Sequence, residues 1–379
     1  MTPAHTRTAP FVRTIGFPRR YCQGPHAIRQ LAPLLRAAGS KSAALVVDPV
    51  VADLLRPTLA ESFGAEGLAP FLFDAPPECT SPAIDALAER VAESGAEAIV
   101  GFGGGKAIDV SKGAASRLGL PLTICPTVAS SDAPTSRLIV LYDEQHTVAG
   151  VEFMGCNPDL VLVDTDIIVR APPRLFAAGI GDALSKRFEA RQCLASGGLN
   201  SFGTFPLSTA ILLADSAYAV IRSDATQAYR DVRNQQVTPA VERLVEATVL
   251  LSGLGFESGG LSVAHALIRG LTTLPNVASR LHGELVAYGT LVQLCWEQQP
   301  PECVAEVLAI IRAVDLPDSL AALGQAAPLT QAERQRVATA TLANSYAANT
   351  APPLTAEALL AAMDEVERLA GAAPARAVA

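Results

Sequence analysis

No two cysteines in this chain have the C-x-x-C spacing of a thiolate zinc or dithiol site. The seven, Cys22, Cys79, Cys125, Cys156, Cys193, Cys295 and Cys303, stand singly. An odd, dispersed set argues against a disulfide framework and reads as reduced core thiols in a cytoplasmic protein. Basic charge is also short: 29 Lys and Arg face 37 Asp and Glu, a net charge of −8. That leaves no footprint for nucleic acid or an anionic membrane. No apolar run approaches the roughly 20 residues of a membrane span. The polar start, residues 1–10, lacks the apolar centre of a signal peptide. Charged residues make up only 17% of the chain and hydrophobic ones 50%, the balance of a compact globular protein. At 379 residues there is room for two domains with substantial cores.

Hydrophobic patterning divides the chain in two. Residues 42–48 and 70–74 read as strands, 81–94 as an amphipathic helix, 98–100 as the end of a buried strand, 107–115 as a helix and 121–125 as another strand. This alternation predicts a parallel sheet with covering helices. Residues 138–142 and 148–153 flank a polar turn at 143–147 and read as a hairpin, and 160–163 as the last strand. After Pro172-Pro173, strand signals give way to Ala and Leu at helical spacing over 175–195, 207–222, 239–256, 261–271, 285–297, 302–314, 331–347 and 355–370. The expected division is an α/β domain over 1–171 and an all-α domain over 172–379. Only the Ala/Pro/Arg tail after Gly371 looks low in complexity.

The stretch 97–112 carries the strongest chemical signal. It runs from an apolar strand end through Gly103, Gly104 and Gly105 into the helix expected over 107–115. A strand-to-helix glycine turn offers bare backbone N–H groups and the positive end of a helix dipole, which suits a phosphate or pyrophosphate. The spelling matches neither the usual dinucleotide fingerprint nor the Walker loop, since Ala107 stands where the latter needs Ser or Thr. Two further segments lie where open α/β sheets bind ligands. Asp48 ends its strand and suits either a ribose hydroxyl or an Asp-Pro turn. The run from Cys125 to Ser136 concentrates hydroxyls and Asp132 just beyond a buried strand, as a ligand loop or a plain polar turn.

Histidine is scarce, five in all. His5, His26 and His146 read as solvated loop residues. His265 and His282 fall in the helical half beside glycines, and Asp182 starts a helix within Gly179-Ile180-Gly181-Asp182. Hydrogen-bonded core histidines and a helix-capping acid are the ordinary explanations of these residues. Together, however, one carboxylate and two imidazoles make the three-ligand set of a catalytic zinc site, and their N/O character also suits iron.

In chain order, six motifs resemble the glycerol dehydrogenases of the iron-containing alcohol dehydrogenase superfamily. They are Gly103-Gly104-Gly105-Lys106-x-x-Asp109, Pro126-Thr127-x-Ala129-Ser130-x-Asp132-Ala133-Pro134-x-Ser136, Asn157-Pro158-Asp159, Gly181-Asp182-Ala183-Leu184, Gly255-Phe256-Glu257-x-Gly259-Gly260-x-x-x-Ala264-His265 and His282-Gly283-Glu284. The resemblance implies a Rossmann-like N-terminal domain and a helical C-terminal domain of the dehydroquinate synthase-like fold. It implies that Asp182, His265 and His282 bind a catalytic Zn2+, or Fe2+ as in relatives. It places the NAD pyrophosphate region on Gly103, Gly104, Gly105, Lys106, Ala107, Ile108 and Asp109, and lines the cofactor cleft with Thr127, Ser130, Ser136, Leu138 and Tyr142. Asp48 matches the acid near the adenosine ribose, and Asp132 the acid that contacts the substrate. The implied reaction is NAD-dependent oxidation of glycerol or a related small polyol at a secondary hydroxyl, by a homo-oligomer. The alternatives are a polyol or aminocyclitol dehydrogenase of another pathway, a dehydroquinate-synthase-like lyase or cyclase, and an inactive binding protein on the same scaffold. Arg137, Arg187, the stretch 277–281 and the stretch 200–206 depart from the family pattern.

Overall fold

The computed structural model describes residues 12–143 and 148–371. His5, His146, most of the expected turn at 143–147 and the tail after Gly371 lie outside the described residues. By compactness the described residues form two units, one of Gly16–Ile180 together with Ser223–Gly253, the other of 12–15, Gly181–Arg222 and 254–371. The expected boundary at 171/172 thus lies nine residues before the first observed change of unit inside this region, at 180/181, and Ser223–Gly253 groups with the α/β part.

The α/β unit holds strands β1 (Tyr21–Gly24), β2 (Ser42–Val47), β3 (Ala69–Asp74), β4 (Ile99–Gly103), β5 (Leu122–Pro126) and β8 (Leu160–Asp164) in one six-stranded sheet, ordered β3-β2-β4-β5-β8-β1. Every pairing is parallel. Helices α1 (Leu31–Ala37), α2 (Ala52–Glu66), α3 (Ser81–Ser94) and α4 (Gly105–Leu118) cover it. Strands buried on both faces read as continuous apolar runs, and β2 shows why. Ala44 and Val46 pack with Ile84, Leu87, Val91 and Ile108 of α3 and α4. Their neighbours Ala43, Leu45 and Val47 pack with Leu31, Leu35, Leu55, Leu59 and Phe63 of α1 and α2. Strands β6 (Leu138–Tyr142) and β7 (Val148–Phe153) form a separate antiparallel pair, as expected of two runs that flank a polar turn.

The helical part comprises α5 (Thr165–Ile168), α6 (Pro173–Ala195), α7 (Ser208–Arg233), α8 (Pro239–Val245), α9 (Ser252–Gly259), α10 (Val263–Leu271), α11 (His282–Trp296), α12 (Pro301–Ala313), α13 (Gln331–Leu342) and α14 (Ala356–Gly371). No strand occurs after β8 among the described residues. The single helix expected over 239–256 is interrupted by a π-helical turn, Glu246–Leu251. The helix expected over 331–347 ends at Leu342, because Asn344 caps a separate 3-10 turn at Ser345–Ala348 by accepting from Tyr346 N. The helix expected from Leu285 begins at His282, where Glu284 accepts from Leu281 N and satisfies a donor ahead of the first turn. No single described helix is long and apolar enough to cross a membrane.

Candidate metal and cofactor sites

In the predominantly helical unit, three helices bring Asp182 (α6), His265 (α10) and His282 (α11) together, with one ligand atom of each within 4.8 Å of the others. Two close backbone approaches make this possible. A Cβ on Gly181 would stand 2.3 Å from the Gly283 carbonyl oxygen, and one on Gly289 would stand 2.6 Å from that of Ala264. Any larger residue would wedge α6 off the start of α11, or α11 off the start of α10.

The electrostatics of the cluster are those of a site built around positive charge. Asp182 Oδ1 lies 3.4 Å from His265 Nε2 and 3.6 Å from His282 Nε2. Its second oxygen, Oδ2, is buried without a hydrogen-bond partner. An orphaned buried carboxylate oxygen is costly unless something binds it, and a hard or borderline cation fits that need. Burial alone would raise the Asp182 carboxyl, but the Lys186 ammonium and the two imidazoles outweigh it and hold the acid well below its ordinary range. His265 is oriented from behind. Its Nδ1 lies 2.6 Å from Glu189 Oε2, so Nδ1 carries the proton and donates, leaving Nε2 for the centre of the cluster. Burial works against a charged His265, and Glu189 overrides it, raising the imidazole above its usual value. The other Glu189 oxygen accepts from Ser262 N and His265 N at 2.9 and 3.0 Å, fixing the first turn of α10. Asp182 and His265 are 1% and 7% exposed, whereas His282 is 50% exposed, so the cluster opens to solvent on the His282 side. The donor set fits a divalent metal with a position left for a small ligand.

Lys186 and Glu189 belong to this cluster and are absent from the sequence reading. Their signal was a spacing: Asp182, Lys186 and Glu189 stand at i, i+4 and i+7, one face of α6. That face also carries apolar residues, so it reads as ordinary core.

In the α/β unit the chain order reverses between β2 and β4, because β3 adds beyond β2 while β4 lies on its other side. Ligands of open α/β sheets bind at such a switch point, beyond the carboxyl ends of the strands. Asp48 follows β2 there, and the glycine turn follows β4. Gly103 has φ of +149°, and a Cβ on it would stand 2.9 Å from Asp48 Cβ and 2.7 Å from Ala107 Cβ. Asp48 Oδ1 accepts from Val50 N at 3.0 Å, so the Asp-Pro turn is formed. The first backbone bond of α4 runs from Ile108 N to Gly104 O, which places the N–H groups of Gly105, Lys106 and Ala107 ahead of the helical ladder. The Ala107 and Ile108 side chains are buried, so they offer backbone alone.

Asp109 points inward. It is buried, accepts from Lys112 Nζ at 3.1 Å and from Val140 N at 3.0 Å, and thereby ties α4 to β6. Lys112, which sequence reading also passed over, gathers three expected residues by bonding Asp109, Ser136 Oγ (3.4 Å) and the Leu138 carbonyl (2.7 Å). Lys106 pairs with Glu78 at 2.7 Å and stands 5.6 Å from the Tyr142 ring. Burial, with Asp109 and Glu78 nearby, pushes the Tyr142 hydroxyl up to about 12. Thr127 N donates to Gly103 O at 3.1 Å, joining the two loops, and Ser130 is half-buried beyond it. Asp132 is buried, and its Oδ2 accepts from Ser252 Oγ at 3.0 Å, just past the π-helical turn.

The residues that depart from the family pattern are engaged elsewhere. Arg137 donates to Met154 O and covers Phe153. Arg187 stacks 4.7 Å from the Tyr218 ring and pairs with Asp215 of α7. Asn200 organises its own loop by accepting from Phe202 N and Thr204 N and donating to Thr14 O and Ser258 O. Arg280 donates to Leu323 O at 2.7 Å. His26, read as a solvated loop residue, has φ of 57° and pairs with Asp166 at 2.6 Å.

Residues 18–165 match the family model described as iron-containing alcohol dehydrogenase. The chain is 40% identical over 311 residues to the glycerol dehydrogenase of Escherichia coli, covering 82% of this chain and 84% of that one. It is likewise 40% identical over 313 residues to the glycerol dehydrogenase of Thermotoga maritima, covering 83% and 85%. Among solved structures, the glycerol dehydrogenase of Schizosaccharomyces pombe superposes with a TM-score of 0.89 at 32% identity, covering 96% of this chain and 94% of that one.

Proposed function

Because the chain belongs to the iron-containing alcohol dehydrogenase family and stands beside its glycerol dehydrogenases, we propose that it oxidises glycerol, or a closely related small polyol, at a secondary hydroxyl with NAD as hydride acceptor. The observation that carries this reading is the cluster of Asp182, His265 and His282 with its orphaned Asp182 Oδ2. These three residues would hold a divalent ion, zinc by analogy with catalytic three-ligand sites, with iron equally suited to the N/O donors. Such an ion, when bound, supplies Lewis acidity that makes a substrate hydroxyl easier to deprotonate. NAD supplies the hydride acceptor.

The chain's own residues do the positioning. Glu189 keeps the His265 proton on Nδ1, so that Nε2 faces the ligand centre. Asp132, steadied by Ser252, receives a second hydroxyl of the substrate, which favours a diol over a simple alcohol. The unladdered N–H groups of Gly105, Lys106 and Ala107 receive the pyrophosphate. Asp48 retains Oδ2 for the adenosine ribose while Oδ1 caps its turn. Tyr142 stays protonated and able to donate at working pH. Asp109 supports this site indirectly, by anchoring β6. Thr127, Ser130, Ser136 and Leu138 line the cofactor loop. The proposal includes a cytoplasmic homo-oligomer, supported by the family and by seven unpaired cysteines.

The test is NADH formation from a panel of polyols by chelator-stripped enzyme reconstituted with zinc or iron. Metal-dependent NADH from glycerol or a neighbouring diol is the expected outcome. Absence of net NADH with every polyol, whichever metal is restored, overturns the proposal.

A further inference from the structure

The ligand cluster already contains a cation. Lys186 lies one turn beyond Asp182 on α6, and its side chain is 1% exposed. Nζ sits 2.5 Å from Asp182 Oδ1 and 3.3 Å from His265 Nε2. It therefore presses against the same carboxylate oxygen that faces both histidines. The Phe256 ring, 5.8 Å from Nζ, lies on the ammonium as well. A lysine this deeply buried is held by its countercharge, and a buried carboxylate by its cation. Asp182 and Lys186 are such a pair, joined by the i, i+4 geometry of a single helix.

A divalent ion bound by Asp182, His265 and His282 would meet the Lys186 charge at close range on the buried side of the cluster, where like charges repel strongly. The ammonium also consumes lone pairs of Asp182 and His265 that a metal would use. We propose that Lys186 is a built-in competitor of the metal. It neutralises Asp182 when no ion is bound, ties Asp182 of α6 to His265 of α10, and lowers the affinity of the site for divalent cations. The enzyme then takes up its metal weakly and exchangeably. This rests on the reading of Asp182, His265 and His282 as the metal site.

The experiment measures Zn2+ and Fe2+ affinity by chelator competition on the full chain, wild type against Lys186→Met, Lys186→Arg and Asp182→Ala. Lys186→Met keeps the length of the side chain and removes its charge. It should bind Zn2+ at least tenfold more tightly than wild type, whereas Lys186→Arg should stay within a few-fold of wild type. The thermal midpoint of metal-free Lys186→Met should fall and be restored by saturating Zn2+. If the metal-free Met variant fails to fold, it is purified with zinc bound and the chelator competition is run from that form. Unchanged or weaker Zn2+ binding by Lys186→Met, with Asp182→Ala losing binding, overturns the competition and leaves the metal site standing. If wild type, Lys186→Met and Asp182→Ala all bind zinc alike, or none binds it, both readings fall.

Discussion

Replacing Gly181 with alanine tests how the ligand cluster is held. The added Cβ would lie 2.3 Å from the Gly283 carbonyl oxygen and 3.1 Å from Ala287 Cβ and Leu316 Cδ1. The nearest atom is backbone, so no side-chain rotation relieves the contact. Reaching an ordinary separation of about 3.4 Å needs α6 and α11 to part by about 1.1 Å (3.4 less 2.3). Overpacking of this kind costs ~1–3 kcal/mol, and the better helix propensity of alanine returns up to ~1 kcal/mol. A net loss of about 1–2 kcal/mol is expected. Gly64 is the control: it lies in α2 with nothing within 4 Å of a built Cβ, so Gly64→Ala should gain up to ~1 kcal/mol. The two variants should therefore unfold in urea about 1–3 kcal/mol apart. The displacement also separates Asp182 from His282. Metal–ligand lengths tolerate about 0.2 Å, so Gly181→Ala should lose tenfold or more in Zn2+ affinity, read by chelator competition. A Gly181→Ala protein as stable as wild type, with unaltered zinc affinity, would refute the argument that this close approach sets the site.

Three further substitutions probe separate parts. Glu189→Gln removes the carboxylate behind His265 and should weaken Zn2+ binding about 10–100-fold, with little change in NAD affinity by fluorescence titration. Equal metal affinity would show that Glu189 serves only the first turn of α10. Ser252→Ala takes one hydrogen bond from Asp132, about 1 kcal/mol, and should raise KM for the polyol several-fold while leaving zinc content unchanged. An unchanged KM would separate Asp132 from the substrate. Tyr142, raised from 10.0 to about 12, should keep its proton up to higher pH in the folded protein than in the unfolded one. Its contribution to stability is then present below pH 10 and lost as pH rises toward 12. Ultraviolet difference titration of wild type against Tyr142→Phe reads this directly, and a phenolate appearing near pH 10 would contradict it.

Local chemistry explains which parts of the structure could be read in advance. The helix expected over 81–94 has those limits because its ends carry their own signals. Thr80 caps it by accepting from Ala83 N, Pro82 opens it, and Gly95 closes it with φ of 70°. The β6–β7 pair was legible from two strand-like runs on either side of a polar turn. The π-helical turn was not, because the residues 246–251 have the same apolar spacing in either helix type. Asp182, His265 and His282 stood out because histidine is rare and glycine adjoins each ligand segment. Lys186, Glu189 and Lys112 did not: the pairs Lys186–Asp182 and Lys112–Asp109 have the spacing of any helix-face ion pair, and the contacts to His265 and Leu138 come from other elements. Asp109 is the converse case: a motif position that draws attention in sequence has its carboxylate turned into the fold.

The segment Ser223–Gly253 has a consequence for how the protein is made. It belongs to the α/β unit, where Glu242 of α8 receives hydrogen bonds from Gln23 at 2.7 Å and from Thr165 at 2.6 Å. The unit that begins at Gly16 is therefore unfinished when Ile180 leaves the ribosome, and stays so until Gly253 has followed. Those 73 residues (253 less 180) take about 4–15 s to synthesise at ~5–20 residues per second. During that interval β1 and α5 wait with their α8 partner missing. Nascent chains halted before Ser223 should expose this surface to chaperones, and chains halted well beyond Gly253 should not.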